Sequence, residues 1–337
     1  MQKVWLSFLF LLVLASCAKD AALPDIEYIS LKIPQGFPNP EIPLDNRPTA
    51  SKVNLGKKLF FEKRLSKDNS ISCGSCHNQE FAFSNNQAVS IGIENLSGFR
   101  NAQPLQNLAW SKLFFRDGGV TQLDLAALNA ITAHTEMGTN LNQIVLKLKS
   151  DATYLQLFRT AFQDTVSSKG ILQALGTFQR TLISGNSRFD KFAYQNNTAA
   201  LTENEKKGKE LFFSTKTNCS TCHSGFLFTN QTFQNNGLYS QYADTGRQRI
   251  TLLPEDRGLF KVPSLRNIEH SAPYMHDGSF ANLEAVIEHY TSGGVTTLNK
   301  SDLIQPLNLT EEEKGNLIVF LKSLTDNEFI ANPNFHP

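Results

Sequence analysis

Cys73-Gly74-Ser75-Cys76-His77 and Cys219-Ser220-Thr221-Cys222-His223 are two copies of one pattern, C-x-x-C-H. This is the attachment signature of a c-type haem. Two thiols bond to the porphyrin, and the following His turns back to ligate the iron. The spacing is tight because both sulfurs must reach one macrocycle while the imidazole lies beneath its centre. The two copies use four of the five cysteines. Together the two C-x-x-C pairs could instead form a four-thiolate zinc site, and either alone could be a redox pair. Neither alternative needs the His that follows, and the pairs lie far apart in the chain. Two covalent haems is the stronger reading.

Outward from the motifs, the preceding residues also repeat. Gly56-Lys57-Lys58-Leu59-Phe60-Phe61 leads into the first motif, and Gly208-Lys209-Glu210-Leu211-Phe212-Phe213 into the second. Gly-Lys-x-Leu-Phe-Phe, a polar loop and C-x-x-C-H form an internal repeat. Each copy reads as a small domain of cytochrome c type, with a lead-in helix, the motif, and later helices closing over the haem. Apolar spacing predicts helices over 52–61, 121–131, 141–149, 154–162, 171–183, 282–290 and 310–324. Residues 188–200 read as a turn toward the second domain, and 224–258 as loop. Thr310 is the expected N-cap of the last helix, with Glu311, Glu312 and Glu313 in its first turn. Sustained strand alternation is scarce. The fold expected is mainly α, two cytochrome c-like haem domains in tandem, spanning 50–195 and 196–337.

The 337 residues suffice for about two domains. There are 25 Phe against 2 Trp and 7 Tyr, which suits a large apolar cofactor face and core packing equally well. At the N-terminus Lys3 precedes an apolar run, Val4 to Leu14, and then Ala15-Ser16-Cys17. This predicts an export signal over 1–16, too short for a lasting membrane span. Leu14-Ala15-Ser16-Cys17 resembles a bacterial lipobox, so Cys17 is the expected lipidation site of a membrane-anchored, periplasmic lipoprotein. Plain secretion would leave an odd cysteine unexplained. Residues 17–49, with six prolines from Pro24 to Pro48, read as a tether. Loss of Lys3 leaves 31 basic against 31 acidic residues, which gives no support for nucleic-acid binding.

Further strings follow in order: Phe99-Arg100-Asn101-Ala102, Phe115-Arg116-Asp117-Gly118-Gly119, Thr135-Glu136-Met137-Gly138, Val262-Pro263-Ser264-Leu265-Arg266-Asn267 and Ala272-Pro273-Tyr274-Met275-His276-Asp277-Gly278-Ser279. With the two haem motifs, this ordered set resembles the bacterial dihaem cytochrome c peroxidases and the related MauG proteins over roughly residues 50–325. The resemblance implies that the first haem, on Cys73, Cys76 and proximal His77, meets hydrogen peroxide. It implies that the second, on Cys219, Cys222 and proximal His223, passes electrons from a small donor such as a cytochrome c or a cupredoxin. Glu136 matches the acid–base residue beside the reacting haem, although such a Glu would ordinarily be a solvated loop residue.

Three departures from the pattern matter. Many dihaem peroxidases carry a distal His where this chain has Ile93, which cannot ligate iron, so the first haem should be open without prior activation. Where typical peroxidases place a distal Met on the second haem, this chain has Tyr290, as MauG proteins do. Tyr290 is therefore the expected iron ligand, with Met275 the competing one on chemistry alone and an ordinary helix-end aromatic the bland reading. Arg116 stands where the family has a Trp relay between the haems, leaving direct transfer or another aromatic such as Trp110 or Phe115. The resemblance also implies a calcium ion held by the Asn101 side chain and the backbone oxygens of Ser271 and Pro273. His276 reads as structural or part of the electron path. The function expected is peroxide reduction. A MauG-like oxidase acting on a protein or organic substrate, and a non-catalytic dihaem electron carrier, are the alternatives.

Overall fold

The computed structural model describes residues 27–337; the export signal, Cys17 and the first part of the tether lie outside the described residues. The two copies of Gly-Lys-x-Leu-Phe-Phe each end a helix. Helix α1 (Ala50–Phe60) leads to the short α2 (Cys73–Cys76). The first domain continues with α3 (Leu123–Thr132), α4 (Leu141–Lys149), α5 (Ala152–Phe162) and α6 (Ser168–Arg180). Then come α7 (Arg188–Tyr194), α8 (Glu203–Phe212), α9 (Cys219–Cys222), α10 (Gln248–Thr251), α11 (Leu283–Ser292), α12 (Glu311–Lys322) and α13 (Asn327–Ile330). Sheet is limited to β1 (Phe233–Gln234) paired antiparallel with β2 (Phe260–Lys261), Phe233 opposite Lys261.

The repeat works as a helix crossing. On α1, a side chain at Gly56 would run into the Ala174 carbonyl of α6; on α8, one at Gly208 would run into the Asn316 carbonyl of α12. Glycine is needed at each crossing because the facing backbone occupies the space of a Cβ. One turn on, Phe60 meets Phe178 at 5.3 Å and Phe212 meets Phe320 at 5.2 Å. Each such buried Phe contributes about 1.5–3 kcal/mol of transfer free energy. The first core is completed by Ile144, Leu148, Tyr154, Phe158 and Ile171, and the second by Phe228, Leu283, Leu317 and Leu321.

The ends of the helices follow the sequence signals. Thr49, Asn140, Ser167 and Asn282 accept bonds from the first turns they cap. Thr202 with Glu205, and Thr310 with Glu313, form capping boxes.

Four segments depart from the sequence reading, the first being 224–258, read as loop, which contains β1 and α10. Residues 188–194 form a helix rather than a turn, and they belong with the second core, where Phe189 packs. The fully buried Arg266 locks α7 in place by pairing both its Nη atoms with Asp190 at 2.8 Å. The described part of the tether is docked: Phe37 lies against Trp110, Tyr194 and Phe226 and under the Arg266 guanidinium. The C-terminal end crosses back, so Phe329 and Phe335 pack on Phe83 in the first core although their sequence position is in the second domain. Among the described residues no helix is long and apolar enough to cross a membrane.

Candidate functional site

Each C-x-x-C-H forms one helical turn that closes on its own His. The His77 N–H donates to Cys73 O at 2.9 Å and the His223 N–H to Cys219 O at 3.0 Å. Ser72 and Ser75 cap the first of these turns reciprocally. The imidazoles are then oriented alike. His77 Nδ1 bonds the Phe83 carbonyl at 2.7 Å, and His223 Nδ1 bonds that of Phe228 at 3.2 Å. Phe83 and Phe228 both have positive φ, +59° and +53°. A carbonyl accepts only from a protonated Nδ1, so Nε2 keeps its lone pair for a metal.

The sulfurs fit the group that the motif implies. None of the four thiols is in a disulfide. Burial pushes Cys73 up to about 12 and raises Cys76, Cys219 and Cys222 as well. Such surroundings favour a neutral sulfur, which a thioether to porphyrin is and a zinc thiolate is not. The two pairs also sit against separate cores, Cys73 on the first and Cys219 on the second. Among the described residues no group of three or more His, Cys, Asp or Glu is placed to hold a metal ion. The four-thiolate zinc alternative therefore has no site.

At the first motif, Glu136 lies close enough to Cys73 and Cys76 to act on both electrostatically. Its side chain keeps accessible surface, but the protein packed around it disfavours the charged form and raises its pKa. Ile93 is tied to the same spot. Its N–H donates to Glu136 O at 2.9 Å, its side chain abuts Gly138, and it is 1 % exposed. Gly92 touches the backbone of Thr135 and Glu136, so the loop carrying Ile93 and the loop carrying Glu136 are pressed together. The loop of Ile93 is thus held by its backbone against the loop whose carboxyl holds its proton more tightly than usual.

At the second motif, Cys219, Cys222 and His223 share one cavity with Tyr290 and Met275. Both expected ligands are present, and one residue ties them together. Asn236 Nδ2 donates to Met275 Sδ at 3.3 Å, Asn236 hydrogen-bonds Tyr290, and its carbonyl accepts from His289 Nε2 at 3.0 Å. Burial raises the Tyr290 pKa, and the bond from Asn236 pulls it back. Met275 sits at φ +77°, a strained conformation for a side-chain-bearing residue. Asn236 and His289 are contributors that sequence reasoning missed, since a single Asn in a polar loop carries no pattern.

Between the motifs runs the segment 101–104. The Gln103 backbone reaches His77, while Asn101, Gln103 and Pro104 line the second cavity. Arg116 and Lys261 line it too. Arg116 bonds Asn101, and Lys261 Nζ bonds the Leu113 carbonyl at 2.6 Å; neither has a carboxylate partner among the described residues. Burial lowers Arg116 to about 10 and Lys261 to about 8. Two cations facing one cavity suit the anionic propionates of a haem. Of the expected relay aromatics, Trp110 is held elsewhere, with Nε1 on Pro38 O at 2.8 Å. Among the aromatics that line the cavity, Phe260 is stacked on the buried His276 at 4.1 Å.

Comparison with known proteins agrees with this geometry. Residues 50–198 match the family model for di-haem cytochrome c peroxidases. The methylamine utilization protein MauG of Methylorubrum extorquens is 36 % identical over 316 residues, covering 92 % of this chain and 88 % of that protein. The cytochrome-c peroxidase IdrP1 of Denitromonas iodatirespirans is 32 % identical over 354 residues, covering 95 % and 93 %. The solved structure of a MauG-like protein associated with microbial copper homeostasis superposes with a TM-score of 0.87 at 36 % identity, covering 91 % of this chain and 98 % of that one. The chain belongs to the di-haem cytochrome c peroxidase and MauG family: it is an oxidoreductase of two haems in tandem cytochrome c-like domains.

Proposed function

We propose that this protein is a c-type dihaem peroxidase that reduces hydrogen peroxide to water. Two electrons would come from a small redox protein, a cytochrome c or a cupredoxin. Cys73, Cys76 and His77 would hold the reacting haem, and Cys219, Cys222, His223 and Tyr290 the electron-receiving one, the His and Tyr side chains supplying iron ligands. A bound haem supplies the redox centre. The observation that carries the reading is the pairing of Ile93 with Glu136. Ile93, which offers no ligating atom, is bonded through its backbone to Glu136 near the first motif, and the Glu136 carboxyl has a raised pKa.

The chain's own part is proton handling and positioning. Peroxide plus two protons and two electrons gives two waters. Glu136 takes a proton from one peroxide oxygen and delivers it to the other, which departs as water. Ile93 keeps the space beside it apolar and free of a competing ligand. Arg116 and Lys261 hold anionic groups in the second cavity. The export signal and Cys17 place the protein in the periplasm on a lipid anchor, a reading that rests on the sequence pattern.

The test is peroxide consumption by fully reduced holoprotein. The expected result is one peroxide consumed per two electrons. A protein that consumes none is an electron carrier, and the peroxidase reading is then wrong. Tyr290 favours a second reading, a MauG-like oxidase of a protein or organic substrate. It would be recognised by oxidising equivalents that persist after peroxide addition without donor and are spent on that substrate.

A further inference from the structure

The calcium ion that the family resemblance implies does not fit the residues present. Calcium needs six to eight hard oxygen ligands, usually with carboxylates among them. Each polar atom of Asn101, the one side chain expected to bind it, is already hydrogen-bonded within the protein. Its Oδ1 accepts from Arg116 Nη2 at 2.7 Å and its carbonyl from Arg116 Nε at 3.2 Å. Its Nδ2 donates to Gln87 O at 3.1 Å and its N–H to His276 O at 2.8 Å. The charges nearby are also of the wrong sign. Arg116 lines the same cavity as Asn101, Ser271 and Pro273, with Lys261 in the same lining. The acidic groups of this region are committed elsewhere: Asp117 and Asp244 both hold Arg100, and Asp277 accepts from Tyr239.

We propose that the Arg116 guanidinium is itself the resident cation of the domain interface, and that this chain binds no calcium there. The guanidinium holds Asn101 by two bonds from one planar fork, a geometry that a lysine ammonium cannot reproduce. Its own carbonyl accepts from Lys261 N–H at 2.7 Å, which ties the first-domain turn at 115–119 to β2. Asn101 in turn grips His276. A covalently tethered cation thus takes the Asn101 side-chain oxygen that an ion would otherwise take, while the backbone bonds Lys261 N–H to Arg116 O and Asn101 N–H to His276 O cross between the domains, and this cation cannot be lost to a chelator.

The experiment uses wild-type holoprotein equilibrated with millimolar calcium, desalted, and assayed for bound metal and thermal melting with and without EGTA. The expected result is no stoichiometric calcium, and a melting temperature and haem spectrum unmoved by EGTA. Arg116→Gln removes the charge and frees Asn101 Oδ1. This variant should melt below wild type and recover part of the loss in calcium, whereas Arg116→Lys stays indifferent to calcium. Stoichiometric calcium in the wild type, or loss of stability on chelation, overturns the proposal and does so even if Arg116→Gln fails to fold. An Arg116→Gln holoprotein as stable as wild type, or one that calcium does not restabilise, also overturns it.

Discussion

The two haem domains share a scaffold and differ in the side chains that face the haem site. In both, a glycine lets two helices cross in contact, a Phe pair fills the crossing, and a carbonyl at positive φ fixes the proximal imidazole. The first domain brings together the loops of Ile93 and Glu136, with the Glu136 carboxyl near the motif cysteines. The second brings up Tyr290, Met275 and the Asn236 that holds both. The common parts attach a haem. In the proposed function, the role of each haem would be set by whether the nearby side chains supply a ligand or a proton carrier.

That contrast is broken most severely by Glu136→Gln. Peroxide turnover by the holoprotein should fall about 10²–10⁴-fold, as measured by steady-state kinetics, while both haems stay in place. The pH profile sharpens the test. Because the Glu136 pKa is raised, turnover that needs its carboxylate is lost as pH falls through that raised value. This acid limb therefore lies above the ordinary Glu range of about 4.3, and it disappears in the Gln variant. A variant with unchanged turnover and an unchanged acid limb removes Glu136 from the chemistry.

Next in size is Asp190→Ala. It leaves the buried Arg266 without its partner and should cost about 3–5 kcal/mol in chemical denaturation, with the loss focused on the second domain. Gly56→Ala and Gly208→Ala compare the two crossings directly. Each forces a methyl against a facing carbonyl and should cost about 1–3 kcal/mol, with similar losses in the two domains. A cost confined to one of them would show that the repeat is not structural in both. The smallest effect is expected for Met275→Leu, which should leave the low-spin spectrum of the second haem unchanged. Tyr290→Phe should alter that spectrum alone. The reverse outcome assigns the ligand to Met275.

Much of the scaffold was legible because it rests on local signals. The C-x-x-C-H turns, the Gly-Lys-x-Leu-Phe-Phe repeat, the helix at Leu141–Lys149 and the Thr310 cap all carry their information within a few residues. The unread features depend on distant partners. Proline spacing made 17–49 read as an extended tether leading onto the domain surface, and only the pocket formed by Trp110, Tyr194 and Phe226 shows that Phe37 anchors its described part. Phe329 and Phe335 return to the first core by a route no sequence pattern marks. Helix 188–194 is short, and its capping box and the Arg266–Asp190 pair, made across the chain, hold it. At the site, Glu136, Tyr290 and the proximal ligands could be proposed from motif positions. The Asn236 hub and the Arg116–Asn101 bond could not, because each is one polar residue whose meaning comes from what it faces.

On the proposed function the two haem sites are unequal by construction, the first with no protein side chain to ligate the iron beyond His77 and the second with Tyr290 as well as His223. Electron paramagnetic resonance of the resting ferric holoprotein tests this most directly. One high-spin and one low-spin signal is the predicted result; two low-spin signals would show that the first haem is closed and that Ile93 does not leave it open.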